Sequence, residues 1–261
     1  MSRGEGKVLH AYGVMDNVDV PLPGAGIADT PVDVLDLGPV AVVTGRLDGA
    51  EFGEARWEAQ GRDPAWIAPL ARRHHEVVQQ LCSVDGVAVV PWRLPGIYAD
   101  DAALESAVRD RLDDVLEVLD RVRGHAEWGL KVYLVDPGMP AAPAAPTSGR
   151  DYLRQRAAEA EARARGSAGR LQQVLEAYET VATVSARSVA NAVQDEALTG
   201  RHEPMLLNSA HLVASGHEDA FFVTVREQAE MLSGAGMRLE VSGPWPPYNF
   251  TEPDRPGGEE E

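Results

Sequence analysis

The sequence predicts an α+β protein with two domains. Its 261 residues suffice for two hydrophobic cores, and valine-rich strand patterns alternate with amphipathic helix patterns in both halves. Four prolines among small residues form a semi-rigid spacer, PGMPAAPAAPT, between the halves. The expected division has an N-terminal domain at residues 1–136, a linker at 137–148, a C-terminal domain at 149–251 and a disordered acidic tail at 252–261.

The N-terminal domain is predicted to begin with two strands and a helix. Valine-rich segments near glycines predict strands at residues 7–14 and 40–47, joined by a loop over residues 17–36 that contains three prolines. Asp63 and Pro64 are typical of a helix N-cap and first helical position. Apolar residues then recur at helical spacing to about residue 81.

The rest of this domain completes the predicted sheet. Residues 87–90 form a short apolar run, and Asp100 begins a second amphipathic helix that closes at Gly124. Residues 127–135 alternate between apolar and polar side chains, as a strand does. Two helices on one side of a four-stranded, largely antiparallel sheet predict a ferredoxin-like α+β sandwich.

The C-terminal domain is predicted to begin with a long, partly exposed helix at residues 152–178, able to pair with another helix. Residues 180–193 fit either a helix or a strand. A strand at 206–213, an amphipathic helix at 217–233 and a last strand at 237–241 follow. The C-terminal domain is therefore α+β as well.

Composition excludes several classes of function. The formal net charge is −17, from 24 basic and 41 acidic side chains, and such a field repels nucleic-acid phosphates and anionic membrane surfaces. No apolar run approaches the roughly 18 residues needed to span a bilayer. A single cysteine, Cys82, excludes an internal disulfide, and no secretion signal is recognisable at the N-terminus. A cytoplasmic protein that binds neither nucleic acid nor membrane is expected.

No catalytic or metal-binding constellation is recognisable. His74 and His75 are adjacent on a predicted helix and point about 100° apart, so they cannot both bind one ion. Cys82 lies on an apolar helix face, and neither a GxSxG motif nor a phosphate-binding glycine loop is found. We expect no catalytic residue, no metal and no cofactor. The alternative is a metal-dependent enzyme that uses His74 or His75.

Five motifs near the predicted element ends are unusual. They are PWRLPGIY at residues 91–98, EWGLKVY at 127–133, GRDYL at 149–153, LLNSAHLV at 206–213 and GPWPPYNF at 243–250. In this order, and with the last motif intact, they resemble the GvpF/GvpL family of gas vesicle proteins over nearly the whole chain. Two departures are PWRLPG where PLRFG is common, and His211 where tyrosine is usual.

The resemblance implies a minor structural or assembly protein of the gas vesicle, a gas-filled intracellular shell. It implies two α+β domains, the first a modified ferredoxin-like fold, and no catalysis. The implied partners are the small hydrophobic shell protein and other gas vesicle accessory proteins. A scaffold that binds only the accessory proteins is the alternative.

The candidate interface residues lie within these motifs. They are Trp92, Arg93, Glu127, Trp128, Lys131, Arg150, Tyr152, Asn208, Pro244, Trp245, Pro246, Pro247, Tyr248 and Phe250. Charged residues near strand ends are more often structural than functional, so an ion pair between Arg93 and Glu127 at a domain seam is expected, with Lys131 in a similar structural role.

GPWPPYNF could be a recognition site, a lid or a free docking peptide. It directly follows a predicted strand, which makes a free peptide the least favoured interpretation. Its prolines would stiffen the chain while Trp245, Tyr248 and Phe250 lie back over the core or a domain seam. A partner site around Trp245 remains the alternative.

Overall fold

The computed structural model describes residues 6–16, 19–135, 149–194 and 200–253, and the side chains of all these residues except 149–165. The predicted linker and all but the first two residues of the predicted tail lie outside this range. The chain divides into two compact units, Met1–Glu127 with Trp245–Glu261, and Trp128–Pro244. Both units contain helices and a sheet, which confirms the α+β class. The division differs from the expected domain boundaries, because the C-terminal motif packs with the first unit.

The first unit consists of an antiparallel sheet and the helices that accompany it. Its strands are β1 (Lys7–Met15), β2 (Val32–Asp36), β3 (Ala41–Asp48), β4 (Val89–Pro91) and β5 (Ile97–Tyr98). Its helices are α1 (Gly49–Phe52), α2 (Glu54–Gln60), α3 (Pro64–Cys82), α4 (Asp101–Arg109) and α5 (Leu112–Val122). The described strands pair in the order β2-β3-β1-β4, with β5 also on β1. Because β4 and β5 pair with the same strand, the loop between them is held against β1.

The predicted loop at residues 17–36 is wrong in its second half. Residues 32–36 form β2, which pairs antiparallel with β3, placing Val34 opposite Val43. Before β2, a short 3-10 turn at Ile27–Asp29 closes over Tyr12, whose hydroxyl oxygen accepts a hydrogen bond from the Ile27 backbone N–H at 2.8 Å. The prolines and glycines of this segment obscure the strand, which is stabilised by pairing with β3, the next strand along the chain.

The single helix predicted from Asp100 to Gly124 is two helices. Asp100 does cap the first, since its carboxylate accepts from the Ala103 N–H at 2.9 Å. Arg111 then leaves the helical region with φ −126° and ψ 20°, and α5 begins at Leu112. Each helix buries its own apolar face, so the apolar periodicity does not reveal the break.

The strand predicted at residues 127–135 exists but belongs to the other sheet. It is β6 (His125–Leu134), which lies between the strands at Met205–Ala214 and Met237–Trp245. In the first unit, β2 supplies the strand that β6 was expected to provide. Alternation shows that a segment is a strand, but it does not identify the strand's partners.

The described part of the second unit has two helices that pack on a sheet. Its further elements are α6 (Gly149–Ala182), β7 (Arg187–Ala190), β8 (Met205–Ala214), α7 (Glu218–Gly234) and β9 (Met237–Trp245). The described strands are ordered β7-β8-β6-β9, so the proline in β9 lies on an edge strand, where a missing N–H is tolerated. Residues 180–193, ambiguous in sequence, contain the end of α6 and then β7.

Helix α6 packs against α7 and the sheet with a narrow face. Val174, Ala177 and Val181 are buried, whereas Leu171 and Leu175 are 52% and 47% exposed. The expected partly exposed helix therefore agrees with the described side chains. Among the described residues, no helix combines the length and the apolar character that crossing a bilayer requires.

Candidate functional site

The C-terminal motif folds back over the core of the first unit. We call residues 245–252 the strap. Pro246, Pro247 and Phe250 are buried, and the Tyr248 ring packs against the core cluster that contains Leu81 and Val89. A 3-10 turn at Tyr248–Phe250 gives the strap its compact shape. This geometry agrees with the lid interpretation and not with a free docking peptide.

Two charged motif residues hold the strap by hydrogen bonds. The Glu127 carboxylate accepts from the Asn249 backbone N–H at 2.9 Å and from its Nδ2 at 2.6 Å. The Arg93 Nη2 donates to the Tyr248 carbonyl oxygen at 3.1 Å. The predicted ion pair between Arg93 and Glu127 is wrong, because each side chain binds the strap instead.

A third side chain binds the end of the strap. Arg121 on α5 is only 9% exposed, and its Nη1 donates to the Glu252 carbonyl oxygen and, at 3.4 Å, to that of Phe250. Its Nη2 contacts the Glu117 carboxylate at 2.6 Å. A guanidinium donates several hydrogen bonds in a fixed geometry, so Arg121 links the strap to the helix.

Burial changes the acid–base properties of groups around the strap. Glu127 is 4% exposed, and burial raises the pKa of its carboxyl group, while the hydrogen bonds from Asn249 oppose that change. Burial also raises the pKa of the Tyr248 hydroxyl and raises the pKa of the Cys82 thiol to about 12. The Tyr248 hydroxyl and the Cys82 thiol therefore keep their protons near neutral pH, which suits packing and hydrogen bonding.

Trp245 is the exposed aromatic residue of the strap. Its side chain is 41% exposed, and its ring centroid lies 5.6 Å from that of His75 on α3. The His75 ring is also 6.1 Å from the Tyr248 ring. The buried residues that follow Trp245 therefore hold a large apolar side chain at the surface.

The loop between β4 and β5 separates two clefts of the first unit, one of which reaches the strap. One, of about 280 Å³, is lined by Trp92, Arg93, Asp114 and the strap residues Thr251 and Glu252. The other, of about 950 Å³, is lined mainly by apolar side chains from β1, α2, α3 and the segment around β5. The loop between β4 and β5 contributes a wall to both clefts, so its position affects the shape of each.

The adjacent histidines of α3 have different environments. His74 is buried and forms hydrogen bonds with His10 on β1 and with the Trp92 carbonyl oxygen. The His75 ring lies beside that of Trp245 instead. Burial lowers the pKa of His74 to about 4 and that of His10 to about 3. No group of three metal-ligating side chains converges in the part of the chain that the structure describes.

The candidate residues of the second unit are not gathered into one site. The Lys131 Nζ donates to the Gln194 Oε1 at 2.9 Å, and the Asn208 Nδ2 donates to the Ala192 carbonyl oxygen at 2.9 Å. The Trp128 ring packs edge-on against Phe222, with centroids 4.7 Å apart. These contacts stabilise local structure. Pro244, at the edge of this unit, is exposed, and the side chains of Arg150 and Tyr152 lie outside the described residues.

Sequence reasoning missed two residues of the strap site. Asn249 lies inside the GPWPPYNF motif, so its position was a usable signal. Arg121 had no such signal, because an arginine four residues after Glu117 on a helix is typical of an exposed ion pair. Only the tertiary structure brings its guanidinium to the strap.

The comparisons with known proteins agree with the motif resemblance. The family model described as "Gas vesicle synthesis protein GvpL/GvpF" matches residues 8–252. Gas vesicle protein L of Streptomyces sp. (strain CB03234) is 33% identical over 257 residues, covering 94% of this chain and 92% of that protein.

Two crystal structures share the fold. The gas vesicle protein GvpF from Anabaena sp. PCC7120 matches with a TM-score of 0.65 and 14% identity, covering 98% of this chain and 100% of that one. GvpF from Microcystis aeruginosa matches with a TM-score of 0.64 and 13% identity, covering 94% and 99%. The family model and the Streptomyces relative extend over nearly the whole chain, and on that evidence this protein belongs to the GvpL/GvpF family of gas vesicle proteins.

Proposed function

We propose that this protein acts in gas vesicle assembly as a non-enzymatic accessory protein that binds the hydrophobic shell protein and other accessory proteins. The observation that carries the proposal is the family match over residues 8–252. A gas-filled shell needs an apolar surface on its subunits, and such subunits aggregate unless a partner covers them before assembly. An accessory protein that binds the free subunit meets this need.

The charge of the protein supports this role. The net charge of −17 makes copies of the protein repel one another. Complexes of the protein with an apolar subunit carry the same negative charge and repel one another too. Charge of one sign keeps such a complex soluble without contributing to the apolar contact itself. The contact must come from exposed apolar side chains.

We propose Trp245 as one such contact for the shell protein. The strap holds its indole at the surface, 41% exposed, and tryptophan is enriched among residues that dominate binding energy. The buried Pro246, Pro247 and Phe250 restrict the backbone around it, so less conformational entropy is lost on binding. A lid over the core and a partner contact are thus compatible roles for one segment.

A binding measurement with purified shell protein tests this contact. We expect Trp245→Ala to weaken binding by about tenfold or more, as loss of a tryptophan anchor does, while leaving the fold intact by circular dichroism. The matched control is Val193→Ala, since Val193 is 55% exposed in the second unit. Equal binding by the wild type and both variants would show that Trp245 is not the contact.

Gene deletion in a host that carries the vesicle cluster tests the wider role. Loss of vesicles, restored by the wild-type gene, is the expected result, and normal vesicle yield would contradict the proposal. Capture of accessory proteins without the shell protein would instead favour a scaffold. A metal-dependent role for His74 is disfavoured, because both of its ring nitrogens make hydrogen bonds within the protein.

A further inference from the structure

His10 and His74 form the centre of a buried chain of three contacts. The His10 Nδ1 lies 2.9 Å from the Pro95 carbonyl oxygen. The His10 Nε2 lies 2.9 Å from the His74 Nδ1. The His74 Nε2 lies 2.8 Å from the Trp92 carbonyl oxygen. All three distances are those of hydrogen bonds.

The number of protons on the two imidazole rings decides the charge of this row of hydrogen bonds. Both ends are carbonyl oxygens, which only accept, so the His10 Nδ1 and the His74 Nε2 must each carry a proton. A neutral imidazole carries one proton, so the two facing nitrogens would then both be acceptors. The middle contact needs a third proton, because two lone pairs at 2.9 Å repel each other.

We propose that His10 and His74 together form a site that binds one proton, shared between the His10 Nε2 and the His74 Nδ1. The proton comes from solvent and gives the pair a single positive charge. When it leaves, one of the three contacts loses its hydrogen, and the contact to Pro95, to Trp92 or between the rings must open. This proposal is independent of the proposed function.

The surroundings of the pair oppose its charge. Both rings are buried, with His10 at 0% and His74 at 3% exposure, and desolvation disfavours an imidazolium. Gly45 lies opposite His10 on β3. The Tyr12 ring contacts both imidazoles, with centroids 4.7 Å from His10 and 5.5 Å from His74, and the neighbouring His75 further disfavours a charge on His74. The charged groups on the packed elements have other partners: Arg73 and Glu76 on α3 pair with each other, Arg46 on β3 pairs with Asp101, and Arg93 in the β4–β5 loop binds the strap. The hydrogen-bond chain is therefore what favours the bound proton.

The bound proton has a structural consequence for the β4–β5 loop. Both end carbonyls, of Trp92 and Pro95, belong to this loop, which also carries the Arg93 side chain that binds the strap. The loop is further tied to β1 by backbone bonds from Trp92 N–H to Tyr12 and from Ala11 N–H to Gly96. Protonation of the histidine pair therefore allows all three hydrogen bonds at once, which holds the β4–β5 loop against β1 and α3. This loop lines both clefts.

Nitrogen-15 NMR of the imidazole rings in the full-length protein tests the proposal directly. We expect the pair to hold three protons in acidic solution and to lose one, as a unit, well below the ordinary histidine pKa of about 6.5, because burial lowers the pKa of both rings. Hydrogen exchange of the loop amides at residues 92–96 should rise with that loss beyond its intrinsic pH dependence. Only two protons on the pair at every pH at which the protein is folded would overturn the proposal.

Two variants separate the pair from the other histidines. His125→Gln removes a half-buried histidine outside the pair and should leave the titration and the loop exchange unchanged. His74→Asn removes one ring and should abolish the shared titration. The exchange rate of the loop amides, corrected for the intrinsic pH dependence, should then be the same at all pH values. Loop exchange in His74→Asn that still follows a transition near the same pH would overturn the proposal. The wild-type spectra decide the matter if this variant does not fold.

Discussion

Glu127 binds Asn249 through both of its carboxylate oxygens, although the residues lie 122 positions apart in the chain. The backbone N–H and the side-chain amide of Asn249 both donate to this one buried carboxylate. The contact joins the start of β6 to the strap, so the C-terminal motif is part of the first unit.

Replacing Glu127 by Gln should destabilise the first unit by about 1–3 kcal/mol, because the glutamine NH₂ would face one of two donors and leave it unsatisfied. Urea unfolding followed by tryptophan fluorescence measures the change. The matched control is Glu105→Gln, since the Glu105 carboxylate makes an exposed ion pair with Arg109 one helical turn away. The control should change stability by no more than about 0.5 kcal/mol. Equal losses in the two variants would contradict the anchoring role.

Phe250→Ala and Trp245→Ala should differ strongly in stability. Phe250 is 6% exposed, and its truncation should cost about 3–5 kcal/mol through lost burial and a cavity. Trp245 is 41% exposed, so its truncation should cost less, about 1 kcal/mol. Thermal or urea unfolding compares them. If Trp245→Ala were the more destabilising variant, Trp245 rather than Phe250 would be the anchor.

Cys82 reports on the strap chemically. Its thiol is the only one in the chain, is packed against the core cluster that Tyr248 also contacts, and has a pKa raised by burial to about 12. Because the thiolate is the reactive form, alkylation at neutral pH should be slow in the wild type. We expect Glu127→Gln and Phe250→Ala to accelerate it and Trp245→Ala to leave it slow. Mass spectrometry of iodoacetamide-treated protein measures these rates, and identical rates in all four proteins would contradict the coupling.

His211 should make the stability of the second unit depend on pH. Burial lowers its pKa from 6.5 to about 4, and its ring contacts the hydroxyl groups of Ser188 and Ser209 at 2.8 and 3.0 Å. Between these values the unfolded chain binds a proton that the folded unit does not. Stability therefore falls as the pH drops from about 6.5 to about 4, by about 3 kcal/mol in total.

Hydrogen exchange of the β8 amides, corrected for intrinsic rates, measures this dependence. His211→Tyr should flatten it, because a tyrosine hydroxyl stays neutral over this range. His217→Gln replaces an exposed histidine and should leave the slope in place. A slope that survives in His211→Tyr would assign the pH dependence to another group.

Local signals in the sequence were sufficient for most elements. The Asp63 carboxylate does cap α3, accepting from the Ala65 N–H at 2.9 Å, because a cap depends only on neighbouring residues. Alternation likewise predicted β6 as a strand. Two strands were misjudged for different reasons. The prolines of its segment obscured β2, although its partner β3 is the next strand along the chain. β6 was assigned to the wrong sheet because its partners β8 and β9 come from distant sequence.

The sequence by itself determined the α+β class, most helices and strands, and the family, because five ordered motifs are specific even when each alone is weak. It also marked the strap, since closely spaced prolines and aromatics cannot continue a helix. Only the tertiary structure decided where the strap packs and that Arg93, Arg121 and Glu127 hold it. It alone brought His10 to His74 across 64 positions. Hydrogen bonds between distant residues depend on how whole elements pack, and no local pattern encodes that geometry.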